Sequence, residues 1–229
     1  LRKRAEDLVN MADKIKVEFL ALDDVLGGDV YFGLAESYQI RYLASAIRRF
    51  KNTYPGLHYH ITSGDTEQVT EKLDKGILDF AVLAQEPDPV KYRFLKFPEA
   101  DLWGAVMPAD CPLAGKEAVS VKDLIGLPLF CSEQGWNNDI NRWCGSDRDK
   151  LQLEGSFRLS YNGSIFVKEG LGCLLTLQNL INTNLDNGLV FRPLTPKLET
   201  NIYLIWKKYQ VFTPIAERLL EQLKAEFGG

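Results

Sequence analysis

Apolar residues at the start of the chain recur at spacings that alternate four and three: Leu1, Ala5, Leu8, Ala12, Ile15, Phe19, Leu22 and Leu26. That is a heptad seam sustained over more than three repeats. The residues between are largely charged, among them Arg2, Lys3, Arg4, Glu6, Asp7, Asp13, Lys14, Lys16 and Glu18. Gly27-Gly28 then stops the pattern, as a glycine in the left-handed conformation stops a helix. A helix of about 26 residues is about 39 Å long at 1.5 Å per residue. A small domain does not cover both ends of such a rod. The pattern therefore predicts an arm that pairs with another chain, rather than an amphipathic helix lying on its own globule.

Beyond Gly28 the period changes. Val30 to Ala35 reads as a strand, and Ile40, Leu43, Ala46, Ile47 and Phe50 recur at helical spacing up to a Tyr54-Pro55-Gly56 turn. Leu57 to Thr62 alternates as a second strand. Asp65 or Thr66 caps a helix that buries Val69 and Leu73 and closes at Gly76. Ile77 to Ala84 is nearly all apolar, as in a parallel sheet covered on both faces. This β-α-β-α-β order predicts an open α/β sheet. Strands follow at Tyr92 to Phe97 and Leu102 to Met107. A second alternating set comes next, with strands at Pro128 to Ser132, Leu153 to Tyr161, Gly172 to Leu177, Val190 to Pro193 and Ile202 to Trp206. Short helices are predicted at Val121 to Ile125, Asn138 to Trp143 and Ser164 to Glu169. Thr213-Pro214 opens a last helix with a stripe of Ile215, Leu219, Leu220, Leu223 and Phe227. So many elements do not fit one small sheet, and two α/β lobes with a cleft between them are the natural solution.

Composition narrows the class. Of 229 residues, 45% are hydrophobic and 25% charged, which matches an ordinary globule. No apolar run reaches the roughly 20 residues that span a bilayer, so no membrane partner is expected. The net charge of −4 lacks the basic footprint of a nucleic-acid-binding domain. The four cysteines form no CxxC pair and read as reduced thiols of a cytoplasmic protein. Leu1-Arg2-Lys3-Arg4 has no apolar core behind it and is not a secretory signal. The chain also lacks an initiator Met, so it reads as an internal fragment of something longer.

Five phrases then stand in order: Phe50-x4-Pro55-Gly56-Leu57, Gly64-x-Thr66, Leu73-x2-Gly76-x-Leu78-Asp79-x-Ala81, Cys111-Pro112-Leu113-Ala114 and Glu169-Gly170-Leu171-Gly172. Together they resemble the effector-binding domain of bacterial LysR-type transcriptional regulators. The resemblance implies a periplasmic-binding-protein type II fold: two Rossmann-like lobes joined by crossover strands, with an effector between them, preceded by a long linker helix. It implies a linker and dimerisation helix over 1–28, a first lobe from 29–99 and 207–229, and a second lobe over 100–206. It also implies a homodimer or homotetramer that meets operator DNA only through an N-terminal winged helix-turn-helix absent from this chain. Two departures stand out. Cys111 replaces the usual His, and Gly172-Cys173-Leu174-Leu175-Thr176 lacks the usual Pro.

Ligands of such sheets sit beyond the carboxyl ends of the strands, where helix N-termini offer unpaired N–H groups and partial positive charge. Four junctions carry small polar residues there: Glu36-Ser37-Tyr38, Ser63-Gly64-Asp65-Thr66, Ser132 to Asn137, and Asn162-Gly163-Ser164. The candidate effector contacts are thus Glu36, Ser37, Tyr38, Gly64, Asp65, Thr66, Ser132, Asn137, Asn162 and Ser164, with Phe130 and Trp136 as an apolar wall. Each helix terminus gives an anion about 0.3–1 kcal/mol, and up to about 2 when partly buried. Two or three of them, with charge-assisted hydrogen bonds, approach the roughly 8 kcal/mol of a micromolar ligand. Glu36 and Asp65 oppose a second carboxylate but welcome an ammonium, so the expected effector is a small carboxylate or an amino acid. The plainer reading is that these residues only cap helices.

Other chemistry finds little footing. Gly170-Leu171-Gly172 lacks the third glycine of a dinucleotide loop, and neither G-x-S-x-G nor a P-loop occurs. His58 and His60 share a strand face but make no metal site on their own. Glu36 and Asp65 as an acid/base pair rank behind binding or capping roles. Cys131 and Cys144 fall where some family members keep an oxidant-sensing pair, yet only Arg142 and Arg148 nearby favour a thiolate. The expectation is a regulator's ligand-sensing domain, not an enzyme, with no cofactor and no metal. The alternative is the solute-binding protein of a transporter.

Overall fold

The computed structural model describes residues 5–7, 9–12 and 27–228, without the side chain of Leu185. Residues 5–7 and 9–12 are helical, and Asp7 there pairs with Lys75 at 2.8 Å. The heptad positions Leu1, Leu8, Ile15, Phe19, Leu22 and Leu26 lie outside the described residues. Gly27-Gly28, expected to end the arm, instead open strand β1 (Gly27–Leu34). They pair with Gly56 and Leu57 of β2 (Gly56–Ser63), and a Cβ on Gly27 would stand 2.7 Å from the Gly56 carbonyl oxygen. The close approach of two strands is what requires glycine there.

The chain divides into two units. One holds Ala35 and the described residues before it, with Gln39–Glu99 and Asn201–Gly229; the other holds Glu36–Tyr38 and Ala100–Thr200. The first sheet runs β2-β1-β3-β12-β4, with β3 Phe80–Leu83, β4 Tyr92–Lys96 and β12 Tyr203–Lys207. β1 is parallel to β2 and β3, whereas β12 is antiparallel to β3 and β4. The chain therefore re-enters the first unit at Asn201, not at the expected boundary of 207. The cause is β12, which fills the gap between β3 and β4 and belongs to this sheet.

Helices α1 (Ile40–Thr53) and α4 (Pro214–Phe227) cover one face of that sheet. Leu43, Ala46, Ile47 and Phe50 of α1 join Ile215, Leu219 and Leu223 of α4 over Val30, Phe32, Leu34, Phe80 and Val82. Thr213 caps α4 by accepting from the Ala216 N–H, and Pro214 takes its first turn. Helix α2 (Thr66–Asp74) covers the other face, placing Val69 and Leu73 on Leu78, Ala81, Leu83 and Ile205. All four residues of β3 are consequently buried. The apolar run predicts a strand from Ile77, but that residue lies in the turn that follows α2, its N–H bonded to the Lys72 carbonyl.

The second unit's sheet runs β6-β10-β5-β9-β7-β8, with β11 beside β5. Its strands are β5 Asp101–Pro108, β6 Val119–Ser120, β7 Pro128–Ser132, β8 Gln152–Phe157, β9 Cys173–Leu177, β10 Leu189–Thr195 and β11 Glu199–Thr200. β7 is parallel to β8 and β9, and β5 is antiparallel to β9 and β10. Two cores flank the sheet. One contains Trp103, Leu129, Trp136, Ile140 and Leu175; the other contains Val106, Val167, Leu174 and Leu189. Residues 133–150 form consecutive helical turns, a longer stretch than the helix read over Asn138 to Trp143. β8 ends at Phe157, and helix α3 (Ser160–Lys168) starts four residues earlier than expected. Gly163 lies inside α3 because the helix packs closely there; a Cβ would meet Leu174 at 2.9 Å and Phe157 at 3.0 Å. No described helix is long and apolar enough to cross a membrane.

Candidate functional site

In the second unit, the Glu36-Ser37-Tyr38 segment meets the starts of β5 and α3. Ser37 is buried and its hydroxyl donates to the Asp101 carboxylate at 2.5 Å. The Glu36 carboxylate accepts the Ser160 N–H at 2.7 Å, at the N-terminus of α3. An acidic oxygen there meets both a bare donor and the positive end of the helix dipole. The Ser160 hydroxyl lies 2.9 Å from that of Thr176 in β9, and both residues are buried. Tyr38 is exposed. These contacts join Glu36, Ser37, Asp101, Ser160 and Thr176 into one polar cluster. Sequence reasoning missed the last three. Asp101 opens a strand, and Ser160 falls in a stretch read as strand, so only long-range pairing marks them.

Several expected contacts also serve the local structure. Ser37 does not cap α1; Gln39 holds that position and makes no side-chain cap bond. Asn162 and Ser164 do not sit at a helix opening, because α3 already began at Ser160. Ser164 is buried and donates to the Tyr161 carbonyl, while Asn162 is exposed. Ser132 accepts the Gly135 N–H at 3.2 Å, a capping role, and Asn137 is exposed beside it. Trp136 is buried in the core with the Arg148 guanidinium 3.7 Å above its ring. Phe130 is half-buried against the other core, its ring 6.2 Å from that of Phe166. In the first unit, Asp65 caps α2. It accepts the Gln68 N–H at 2.9 Å while the Gln68 side chain takes the Asp65 N–H at 3.3 Å. Gly64 precedes that cap and Thr66 is the first helical residue.

A buried polar relay also runs through the second unit. The Trp103 indole donates to Thr200 at 2.8 Å, and Thr200 donates to Asp139 at 2.9 Å. Burial raises the Asp139 carboxyl above its ordinary range, against Thr200 and Arg142, which pull it down. The four thiols are free. Burial raises Cys131 strongly and lifts Cys144 to about 11, so neither has the thiolate character that oxidant sensing needs. Among the described residues, no cluster of His, Cys, Asp and Glu is arranged to hold a metal ion.

The chain matches the family described as the LysR substrate binding domain over residues 23–228. It is 26% identical over 207 residues to the HTH-type transcriptional regulator YvbU of Bacillus subtilis, covering 88% of this chain and 68% of that one. Its fold is shared by the effector-binding domain of QuiR in complex with shikimate, with a TM-score of 0.76 at 14% identity over 88% of this chain and 98% of that one. The regulatory domain of CcmR from Synechocystis in complex with 2-PG also shares it, with a TM-score of 0.70 at 16% identity over 88% and 97%. The α/β architecture with two sheets is thus the one these effector-binding domains use, and a family match across nine-tenths of the residues settles membership: the chain belongs to the LysR substrate-binding domain family.

Proposed function

We propose that this chain senses a small organic anion, a carboxylate or an amino acid, on behalf of a cytoplasmic transcription regulator. The observation that carries the reading is the Glu36 carboxylate on the Ser160 N–H at 2.7 Å. That terminus already accepts an acidic oxygen, and the Ser160 and Thr176 hydroxyls lie beside it. An effector carboxylate competes with Glu36 for the same donor. Similar folds in complex with shikimate, itself a small carboxylic acid, and with 2-PG support the ligand class. Ser37, Tyr38, Ser132, Asn137 and Asn162 are the further polar contacts of this proposal. The heptad positions ahead of Gly27 support assembly into a homodimer or homotetramer. A net charge of −4 supports contact with operator DNA through another part of the regulator. The kinship with transcription regulators favours this over a transporter's solute-binding protein.

A thermal-shift screen of organic acids and amino acids tests the proposal, since a ligand at 100 times its Kd adds about 2.7 kcal/mol. Calorimetry on Glu36→Gln then separates the two classes. A simple organic acid binds the variant about tenfold tighter, because the internal competitor and a like charge are gone. An amino acid that uses Glu36 for its ammonium binds about tenfold weaker. Unchanged affinity in both Glu36→Gln and Ser37→Ala places the ligand elsewhere and refutes the assignment.

A further inference from the structure

A sulfur cluster in the second unit has no part in the effector reading. Strand β5 runs antiparallel to β9, with Ala105 opposite Leu175 and Val106 opposite Leu174. The next step of that ladder sets Met107 against Cys173, the first residue of β9. Both are buried, and both belong to the core that contains Trp103 and Leu175, so their side chains share one face of the sheet. Past Pro108 the chain turns back, the Cys111 N–H bonding the Pro108 carbonyl at 3.0 Å. That turn packs Cys111 against the same core, and its thiol is hydrogen-bonded to that of Cys173. Cys111 is only half-buried, so the cluster has a way in from solvent.

Two thiols and a thioether are soft ligands, the kind that monovalent copper favours over nitrogen and oxygen. Methionine sulfur lies outside the His, Cys, Asp and Glu set of ordinary metal clusters. Burial first, and then the Cys111 sulfur beside it, raises the Cys173 thiol to about 12. The thiol therefore keeps its proton until a thiophilic cation displaces it. One copper(I) ion and two thiols give a dithiolate complex with a single net negative charge, and two protons leave. A buried anion needs a counter-charge, and Arg192 is placed to give one. It lies on β10 between Val190 and Leu194, two residues of the same core, and hence on the same face. Its guanidinium donates to the Ala114 carbonyl, three residues beyond Cys111. Its Nε–H is buried and meets no acceptor among the described residues. We infer that Met107, Cys111 and Cys173 form a site for monovalent copper, with two thiolates and a thioether as ligands and Arg192 as counter-charge. Thr176 of the Glu36–Ser160 cluster faces the other side of β9, so the two sites are separate.

Anaerobic titration of the whole chain with copper(I), in competition with the chromophoric chelator bicinchoninate, tests this. The parent should withdraw one copper per chain from the chelator and gain an ultraviolet sulfur-to-copper charge-transfer band. Cys111→Ser and Cys173→Ser should each lose the copper to the chelator. Met107→Leu keeps the volume and should weaken binding without abolishing it. Arg192→Gln removes only the counter-charge and should weaken binding about tenfold. Cys131→Ser and Cys144→Ser should hold copper as the parent does, and circular dichroism verifies each fold. If Cys173→Ser does not fold, Cys111→Ser decides, because that residue is half-buried in a turn. The inference is overturned if the parent leaves the copper with the chelator, or if Cys111→Ser retains it as the parent does. It is equally overturned if Cys131→Ser or Cys144→Ser releases the copper, for then another pair of thiols holds it adventitiously.

Discussion

Helices α2 and α3 are both held at their first turn by a carboxylate, but the two carboxylates differ in origin. Asp65 lies three positions from the Gln68 N–H that it accepts. Glu36 lies 124 positions from the Ser160 N–H. The first contact forms with its helix and needs nothing else, so it is a device of folding. The second exists only when the segment leaving β1 has met α3. A remote acid on a helix terminus can be exchanged for a ligand's acid without unravelling the helix. A local cap cannot be removed so harmlessly.

The sharpest way to break this contrast is at Ser37. Its hydroxyl is buried on Asp101, and hydrogen bonds to charged groups are worth about 1.5–3 kcal/mol. Ser37→Ala should lower urea-unfolding stability by about that amount and weaken the effector as well. A loss of stability with no loss of affinity would make Ser37 purely structural. A smaller effect is expected at the local cap: Asp65→Ala should cost about 0.5–2 kcal/mol and leave effector affinity unchanged. A clear drop in affinity there would erase the distinction between the two carboxylates.

The smallest effect concerns a second local cap. Asp123 reaches back to the Ser120 N–H at 2.9 Å and to its hydroxyl at 2.7 Å, and it also meets Lys116. Lys116, followed by the Ser120 bonds, lowers its carboxyl to about 2. A carboxyl lowered by folding stabilises the native state above its unfolded value and loses that contribution as the pH falls through about 2. Lys116 is 46% exposed, so solvent screening holds the contribution below about 1 kcal/mol. Comparing acid unfolding of the parent with Asp123→Asn should reveal a small difference at pH 5 that shrinks towards pH 2. A constant difference would assign the effect to packing instead.

Local grammar was readable; remote pairing was not. The caps at Asp65 and Thr213, the apolar run of β3 and the stripe of α4 are each written within one helix turn or one strand. The start of α3 is not legible locally because its determinants are distant: Glu36 supplies the acceptor, and Gly163 answers to Leu174 and Phe157. Periodicity could not reveal that β12 slots between β3 and β4, since the strand carries no mark of its neighbours. Trp136 reads equally as ligand wall or core because aromatic residues suit both, and here it lies in a core with Arg148 over its ring. Asp101 and Thr176 carry no mark in the sequence, being single polar side chains in apolar strands.

The placement of β12 has a consequence for how the chain is made. Every strand of the second sheet leaves the ribosome before Tyr203 does. Domains tend to fold as units during synthesis, so the unit encoded mainly by Ala100–Thr200 has all its strands while the earlier one is still incomplete. Until β12 emerges, β3 presents an open edge and β4 lacks the strand that joins it to the sheet. An apolar strand with an unpaired edge is a template for wrong pairing. The vulnerable nascent species is therefore the half that was translated first, and the last 29 residues, Asn201–Gly229, are what close it.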